Sequence, residues 1–160
     1  MADLTKAAPQ EMTATLEEVV RRRADLHRAI LGLQRAAAEP AEGREEQWQA
    51  GVVTALEEVE GEIVDHIEVT EREHGLYDEI IDVAPRLSRN IGVLRNEHPE
   101  LQVATSALRA RLASAPVRGD EAVAEARHAI DHVLAQLVSH RRRGADLLWE
   151  AYSLDTGGGE

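Results

Sequence analysis

The sequence predicts an all-α protein, an antiparallel up-down-up-down bundle of four helices, on three observations. Its 160 residues include no Phe and only 2% aromatic residues, so the core must consist of Leu, Val, Ile and Ala, which fill helical seams well. Four long segments repeat apolar residues at the spacing of an amphipathic helix. Pro and Gly separate these segments by short links, which place consecutive helices beside one another.

The first two predicted helices lie on either side of a Pro- and Gly-containing link. The first covers residues 9–38 and ends before Pro40 and Gly43. The second covers residues 44–83, with Gly75 as a weak point inside it. Their apolar stripes, which we expect to face the core, are Leu16, Val19, Leu26, Ile30, Leu33 and Ala37 in the first helix and Val52, Leu56, Val59, Ile63 and Ile67 in the second.

The last two predicted helices complete a single domain over residues 1–152. The third helix covers residues 85–113 with a proline in its first turn, and the fourth runs from the N-cap Asp120 to about Tyr152. Residues 153–160 contain three glycines and are predicted to be a flexible tail. The stripes of the last two helices are Leu87, Ile91, Leu94, Leu101, Leu108 and Leu112, and Val123, Ala126, Ile130, Val133, Leu137 and Leu148.

Charge and composition exclude several classes of function. The formal net charge of −12 argues against binding to nucleic acid, which needs a basic surface. The chain has no Cys, which excludes disulfides, thiolate metal ligands and thiol nucleophiles. No apolar stretch is long enough to span a bilayer, and no signal-peptide region follows the first residues. The sequence therefore predicts a cytoplasmic protein without nucleic-acid or membrane partners.

Motifs of the common enzyme classes are missing from the sequence. It has no glycine-rich phosphate loop, no His-Glu-x-x-His and no nucleophilic Ser between a strand and a helix. We therefore predict that the protein is not an enzyme. An exposed apolar strip of Trp48, Trp149 and Tyr152 would suit a homodimer or another protein partner.

The informative residues are the seven histidines. On a helical wheel, which advances about 100° per residue, four of them fall on or beside an apolar face, one on each helix. His128 and His132 have the i,i+4 spacing of a metal chelate, but they lie on the far side of the fourth helix and are expected to be solvated. His74 joins the stripe of the second helix only if that helix continues through Gly75. The candidate metal ligands are therefore His27, His66, His98, His140 and His74.

Several inward histidines in one core favour a bound metal. A buried imidazole needs partners for both ring nitrogens, and converging imidazoles can donate few hydrogen bonds to one another. For one histidine, an ordinary hydrogen-bonded core residue is the better interpretation, but it accounts less well for four. Neutral imidazole is a common ligand of iron and zinc, and the cores of helix bundles are known places for such sites.

The segments around these histidines resemble hemerythrin-like (HHE cation-binding) domains. The segments are Leu26-His27-Arg28-Ala29-Ile30, Asp65-His66, Glu97-His98-Pro99-Glu100-Leu101 and Leu137-Val138-Ser139-His140. The resemblance covers about residues 16–152 and rests on the order and spacing of the segments, with the Glu-His pair as its most specific piece. It implies a four-helix bundle with a non-haem di-iron centre. It also implies a function in binding dioxygen, in sensing oxygen or redox state, or in handling iron or peroxide.

The sequence departs from the family where the family's bridging carboxylates and second helix-three histidine are expected. Thr70 stands four residues after His66, and Gly144 stands four residues after His140. Gln102 takes the place of the second histidine of helix three. Two ferric ions without bridging carboxylates would lack charge compensation. The chain is therefore identified as a divergent member whose site is degenerate.

Two further residues complete the predicted pocket. Glu71 is a candidate substitute for a missing carboxylate, as are Glu62 and Asp146. Arg23 places a cation inside the apolar arc of the first helix. The small residues Thr70 and Gly144 leave space for a ligand, so a mononuclear metal site or an anion pocket beside Arg23 are both open.

Two functions remain open on the sequence alone. One is a hemerythrin-like protein that uses iron for binding or sensing without catalysis. The alternative is a metal-free helical interaction module that has lost its centre.

Overall fold

A computed structural model describes the backbone of residues 8–152 and the side chains of residues 14–152. Every regular element in this part of the chain is helical, so the predicted all-α class is confirmed. The predicted flexible tail, residues 153–160, lies outside the described residues. The elements are α1 (Ala8–Ala38), α2 (Glu45–Glu71), α3 (Leu76–Val83), a 3-10 turn (Pro85–Leu87), α4 (Ser88–Ser114) and α5 (Gly119–Tyr152).

Each of the four long helices packs against two of the others. Helix α1 contacts α2 and α5, and helix α4 contacts the same two helices. The short helix α3 packs against α1 and α2. Each long helix therefore has a neighbour on two sides and turns one apolar stripe toward a shared interior.

The second predicted helix breaks at the expected weak point, and the break yields two helices, α2 and α3. The amide of Gly75 donates a hydrogen bond of 2.8 Å to the carbonyl oxygen of Arg72, which closes a tight turn after α2. A Cβ at Gly75 would lie only 2.8 Å from that oxygen, so a larger residue cannot occupy the turn without moving the backbone. His74, with a φ of 58°, therefore lies in the turn and not on the stripe of α2.

The interior contains two clusters of buried apolar side chains. The larger core includes Leu33, Leu56, Ile130 and Leu137 and joins α1, α2, α4 and α5. The smaller core forms where α3 packs and includes, among others, Val19, Val69, Tyr77, Ile80, Leu94 and Leu147. A band of polar residues lies between the two cores and forms the site described below.

The apolar strip expected on the surface does not form. Trp48 is only 3% exposed, because its ring packs into the larger core and its Nε1–H donates to the carbonyl oxygen of Ala37. Trp149 is 70% exposed, and Tyr152 is half-buried against the smaller core. Within residues 8–152, none of the helices combines the length and the apolar character that a membrane span needs.

Candidate metal centre

One polar residue on each long helix separates the two apolar cores. On α2, His66 lies between Ile63 of the larger core and Val69 of the smaller one. On each of the other three long helices, too, one polar residue lies between a residue of the larger core and a residue of the smaller core. We call this set the polar layer; it consists of Arg23 on α1, His66 on α2, His98 on α4 and His140 on α5.

The three histidines of the polar layer form a compact buried cluster. They are 6% (His66), 1% (His98) and 3% (His140) exposed, and one nitrogen of each lies within 4.8 Å of the others. The Nε2 atoms of His66 and His140 are 3.2 Å apart. Two imidazole nitrogens bound to one tetrahedral zinc ion would be separated by about 3.3 Å. The pair His66–His140 has this spacing, and the three-histidine cluster as a whole could hold a single metal ion.

Two carboxylates orient two of these rings. The Nδ1–H of His98 donates to Glu71 Oε1 at 2.5 Å, and the Nδ1–H of His140 donates to Glu97 Oε2 at 2.6 Å. The second oxygen of Glu97 pairs with Arg143. Since an ionised carboxylate only accepts hydrogen bonds, each Nδ1 carries the proton and each Nε2 keeps its lone pair. This carboxylate–histidine arrangement is the one that supports metal ligands in proteins.

The ring of His66 lacks such a support. Its Nε2 contacts the Nε2 of His140, while its buried Nδ1 has no hydrogen-bond partner among the described residues. Because Nε2 of His140 is an acceptor, Nε2 of His66 must donate in this contact, which leaves Nδ1 as an unsatisfied acceptor. An unsatisfied buried nitrogen is unfavourable, so the cluster is incomplete as a purely hydrogen-bonded core.

Burial keeps the three imidazoles neutral. Desolvation, together with the neighbouring histidines and Arg23, lowers the pKa of His66 to about 3. Desolvation also lowers the pKa of His98 and of His140, although Glu71 and Glu97 act in the opposite direction. Neutral imidazole is the form that binds metal ions. His98 and His140 already present Nε2 lone pairs, whereas His66 would have to move its proton from Nε2 to Nδ1 before its Nε2 could bind.

A tyrosine that the sequence reasoning did not select also borders the cluster. The hydroxyl of Tyr77 lies 3.4 Å from His98 Nε2, and the two rings stack with an interplanar angle of 11°. Burial raises the pKa of Tyr77, which keeps the phenol protonated. Thr70, a predicted pocket residue, donates its hydroxyl to the carbonyl oxygen of His66 at 2.8 Å. Tyr77 reaches the site only because the chain turns at Gly75.

The structure brings three of the five predicted ligands together, namely His66, His98 and His140. His27 is half-buried and lies outside the cluster. The α1 residue that lies beside His66 and His140 is Arg23, one turn earlier. His74 is exposed in the turn after α2. The predicted pocket residue Gln102 is exposed as well and does not face the cluster. Three histidines and one arginine, rather than four histidines, therefore occupy the interior.

Arg23 and Gly144 meet at one side of the cluster. The Nη2 atom of Arg23 donates to the carbonyl oxygen of Arg141 at 3.1 Å, and a Cβ at Gly144 would lie 2.7 Å from Arg23 Nη1. Only glycine lets the guanidinium approach α5 this closely. A cavity of about 10 Å³ beside it is lined by Arg23, His66, Thr70, Tyr77 and Gly144, among others. Such a volume holds about one water-sized species.

Together, the helices and the polar layer define an all-α protein with a buried three-histidine cluster that could hold a metal ion. No protein-family model, curated protein or solved structure matches the chain. The resemblance to hemerythrin-like domains therefore stays a prediction from the sequence.

Proposed function

We propose that the protein binds one divalent transition-metal ion through His66, His98 and His140. The observation that carries this proposal is the support of two rings by carboxylates, Glu71 and Glu97, at 2.5 and 2.6 Å. In each pair the Nδ1 proton is engaged, which leaves the Nε2 lone pair for a metal ion. The unsatisfied nitrogen of the third ring, together with the neutral state of all three, also supports it.

A single ion fits this site better than a pair of ions. Thr70 uses its hydroxyl on the main chain and Gly144 has no side chain, so neither can bridge two metals. Glu71 and Glu97 contact Nδ1 atoms and do not lie between ligand nitrogens. The cavity beside the cluster, about 10 Å³, has no room for a second ion with its bridging ligands.

The proposed role is that of a divergent hemerythrin-like protein that senses or binds and does not catalyse. Imidazole suits iron as well as zinc, and three protein ligands leave further coordination positions free. An iron ion with free positions is suited to binding dioxygen or to responding to redox state. The proposal includes the antiparallel up-down-up-down arrangement of α1, α2, α4 and α5, which the contacts of α1 and α4 with both other helices support.

Metal analysis of the purified protein, combined with titration by zinc, cobalt and iron(II), tests the proposal. We expect one equivalent of metal, and a cobalt spectrum with the intense bands of a tetrahedral site. His98→Ala should abolish binding, because it removes the most deeply buried ligand. His132→Ala is the matched control. Its metal binding should equal that of the unmodified protein, because His132 is exposed on α5 and lies outside the cluster. Metal content far below one equivalent in the unmodified protein would contradict the proposal.

The second candidate function is a metal-free helical interaction module. It is favoured by Arg23, whose permanent cation lines the same cavity and would repel a bare metal ion. The contact between the Nε2 atoms of His66 and His140 also gives each ring a partner without metal. Under this alternative, a chelator leaves the thermal midpoint unchanged and the three histidines accept apolar substitutions. Under the metal proposal, the chelator lowers the midpoint.

A further inference from the structure

Helix α5 carries a second, outward-facing row of residues besides the row that faces the two cores. All of its residues that are both apolar and exposed belong to this row, namely Ala124, Ala135, Val138, Ala145 and Trp149. Val138 is 48% exposed and Trp149 is 70% exposed. The row also includes His128, Asp131 and Arg142, so its positions alternate in steps of four and three along the helix. This is the spacing of a coiled-coil seam, and we call the row the outer stripe.

The rest of the exposed surface of α5 is polar. Apart from Gly119 at the start of the helix, the exposed residues outside the outer stripe are Asp120, Glu121, Glu125, His132, Arg143 and Asp146. Single exposed apolar residues are ordinary on protein surfaces, so their separation onto one row is the informative feature. The inner row of α5 packs into the two cores, whereas the outer stripe has no packing partner within the described residues. A helix with apolar rows on two sides is expected to pack on both.

Helix α1 widens this surface beside the outer stripe. Val20 (57% exposed) and Leu31 (39% exposed) lie about one turn before and two turns after Arg23, which contacts the main chain of α5. A groove of about 490 Å³ between the two helices is lined by, among others, Ala38, Asp131, Ala135 and Val138. The stripe is about 38 Å long and two helices are about 20 Å wide, which gives about 750 Å². Each partner in a stable interface contributes about 800 Å².

The charges of the outer stripe are complementary when the stripe is read in the opposite direction. Asp131 and Arg142 lie at equal distances, about 8 Å along the helix, on either side of the point between Gln136 and Leu137. A two-fold axis through that point places Asp131 of each copy opposite Arg142 of the other. Both residues are exposed, and neither has an ion-pair partner in the described part of the chain.

The same axis pairs large side chains of the outer stripe with small ones. It places Val138 opposite Ala135 near the centre, and Trp149 opposite Ala124 at the two ends. A surface groove of about 650 Å³, lined in part by Ala124 and Pro40, lies where the indole of the second copy would pack. Large residues that face small ones let two helix surfaces interdigitate. One axis therefore satisfies both the charges and the sizes of the residues along the stripe.

We propose that the outer stripe binds the outer stripe of a second copy of this chain, with the two α5 helices antiparallel in a symmetric dimer. A second copy suits this surface better than a strongly charged partner. With His128 neutral, the stripe carries one acidic and one basic residue, although the whole chain has a net charge of −12. The apolar residues supply the burial, while the Asp131–Arg142 pairs fix the direction and register of the helices. The interface goes beyond the proposed metal function and does not depend on it.

The mass of the metal-free, chelator-treated protein, measured by light scattering and sedimentation equilibrium, tests the proposal. At about 0.1 mM protein we expect twice the 17.6 kDa of one chain. Val138→Glu places a carboxylate near the centre of the interface and should raise the dimer dissociation constant at least about tenfold. His132→Glu adds the same carboxylate at an exposed position outside the stripe and should dimerise like the unmodified protein. A monomeric unmodified protein, or equal dissociation constants for Val138→Glu and the unmodified protein, would overturn the proposal.

Charge exchange tests the register of the two helices. Asp131→Arg brings arginines opposite one another, and Arg142→Asp brings aspartates opposite one another. Each variant alone should therefore dimerise at least about tenfold more weakly than the unmodified protein. An equimolar mixture of the two variants should form heterodimers, because every arginine then faces an aspartate. A mixture that associates no better than the separate variants would contradict the proposed register.

Single cysteines test the direction of the helices, since the chain has no cysteine of its own. The two-fold axis places His128 opposite Ala145, so a mixture of His128→Cys and Ala145→Cys should form disulfide-linked heterodimers under mild oxidation. Ala145→Cys alone should not, because its two copies lie about 25 Å apart along the antiparallel helices. Efficient cross-linking of Ala145→Cys with itself would indicate parallel helices and overturn the proposal.

The design keeps folding and metal binding separate from dimerisation. All substituted positions are exposed, so each variant should keep the helical circular dichroism of the unmodified protein. Because the samples contain no metal and the outer stripe contains none of the three clustered histidines, a monomeric result leaves the metal stoichiometry unaffected.

Discussion

The larger apolar core and the polar layer lie next to each other inside the same helices, yet they are built on opposite principles. The larger core consists mainly of aliphatic side chains; Leu33, Leu56 and Ile130, for example, are completely buried and need no partner beyond packing. The polar layer is as deeply buried at its histidines, but its polar atoms need specific partners. The core therefore stabilises the fold through packing, whereas the layer leaves a buried nitrogen, Nδ1 of His66, without a hydrogen-bond partner among the described residues, which is unfavourable.

Truncation of the larger core should have the largest effect on stability and none on the site. Leu56→Ala removes a side chain that is 0% exposed, and we expect a loss of about 2–5 kcal/mol in the free energy of unfolding. Urea denaturation measures it, with Val64→Ala on the same helix as the control, since that side chain is 55% exposed and should change stability by less than about 0.5 kcal/mol. Loss of metal binding in a folded Leu56→Ala protein would show that core and layer are not independent.

Acid should destabilise the metal-free protein through the layer and not through the core. The folded protein holds the pKa of His66 at about 3, whereas an unfolded histidine titrates near 6.5. Between these values the unfolded chain binds more protons, so stability falls as pH falls through that window. At pH 5 the loss due to His66 amounts to about 2 kcal/mol relative to pH 7. His98 and His140, whose pKa values burial also lowers, act in the same direction.

His66→Leu is the matched variant for the acid experiment, because it removes the titrating group and fills the same space with apolar atoms. Urea midpoints at pH 7, 6 and 5 should fall less steeply in this variant than in the unmodified protein. Parallel pH profiles for the two proteins would contradict the low pKa of His66. Above pH 5 most carboxylates stay ionised, so they contribute little to the difference.

The carboxylates that hold Nδ1 protons should matter for metal affinity more than for folding. Glu97→Gln weakens the support of His140 and removes the ion pair with Arg143, and we expect a loss of metal affinity of about 10- to 100-fold. Competition with a chromogenic chelator measures the affinity. Glu100→Gln, an exposed position on the same helix, should leave it unchanged. Equal affinities in the two variants would show that Glu97 does not support a ligand.

Much of the fold is readable from the sequence because it depends on local patterns. Apolar spacing and the positions of Pro and Gly predicted four long helical segments. The outer ends of these segments lie within a few residues of the observed helix ends, but the second segment is divided into α2, which ends at Glu71, and α3. Gly75 was recognised as a weak point, but the pattern could not show that the chain turns there and restarts as α3. That turn is set by a close approach between Gly75 and the carbonyl group of Arg72, which is a three-dimensional fact.

The site was less predictable, because it depends on the rotation of each helix and on reach between helices. On α1 both Arg23 and His27 fall within the broad apolar arc, and a wheel cannot decide which of them enters the interior. Packing places Arg23 there, with Gly144 of α5 making the space. Glu97 contacts His140 and Tyr77 contacts His98, in each case on another helix. The spacing of residues along the chain does not predict such contacts between helices.

The smallest expected effect concerns the one hydroxyl group that borders the cluster. The 3.4 Å separation between Tyr77 and His98 Nε2 is long for a hydrogen bond, so Tyr77→Phe should change the free energy of unfolding by less than about 1 kcal/mol. The phenol stays protonated because burial raises its pKa, and a protonated phenol is a poor metal ligand. Metal affinity should therefore not fall, since Nε2 of His98 loses only a weak competitor. A decrease of tenfold or more in metal affinity, with loss of a tyrosinate-to-iron(III) absorption band, would instead identify Tyr77 as a fourth ligand. The phenol oxygen would then occupy a coordination position that the three histidines leave free.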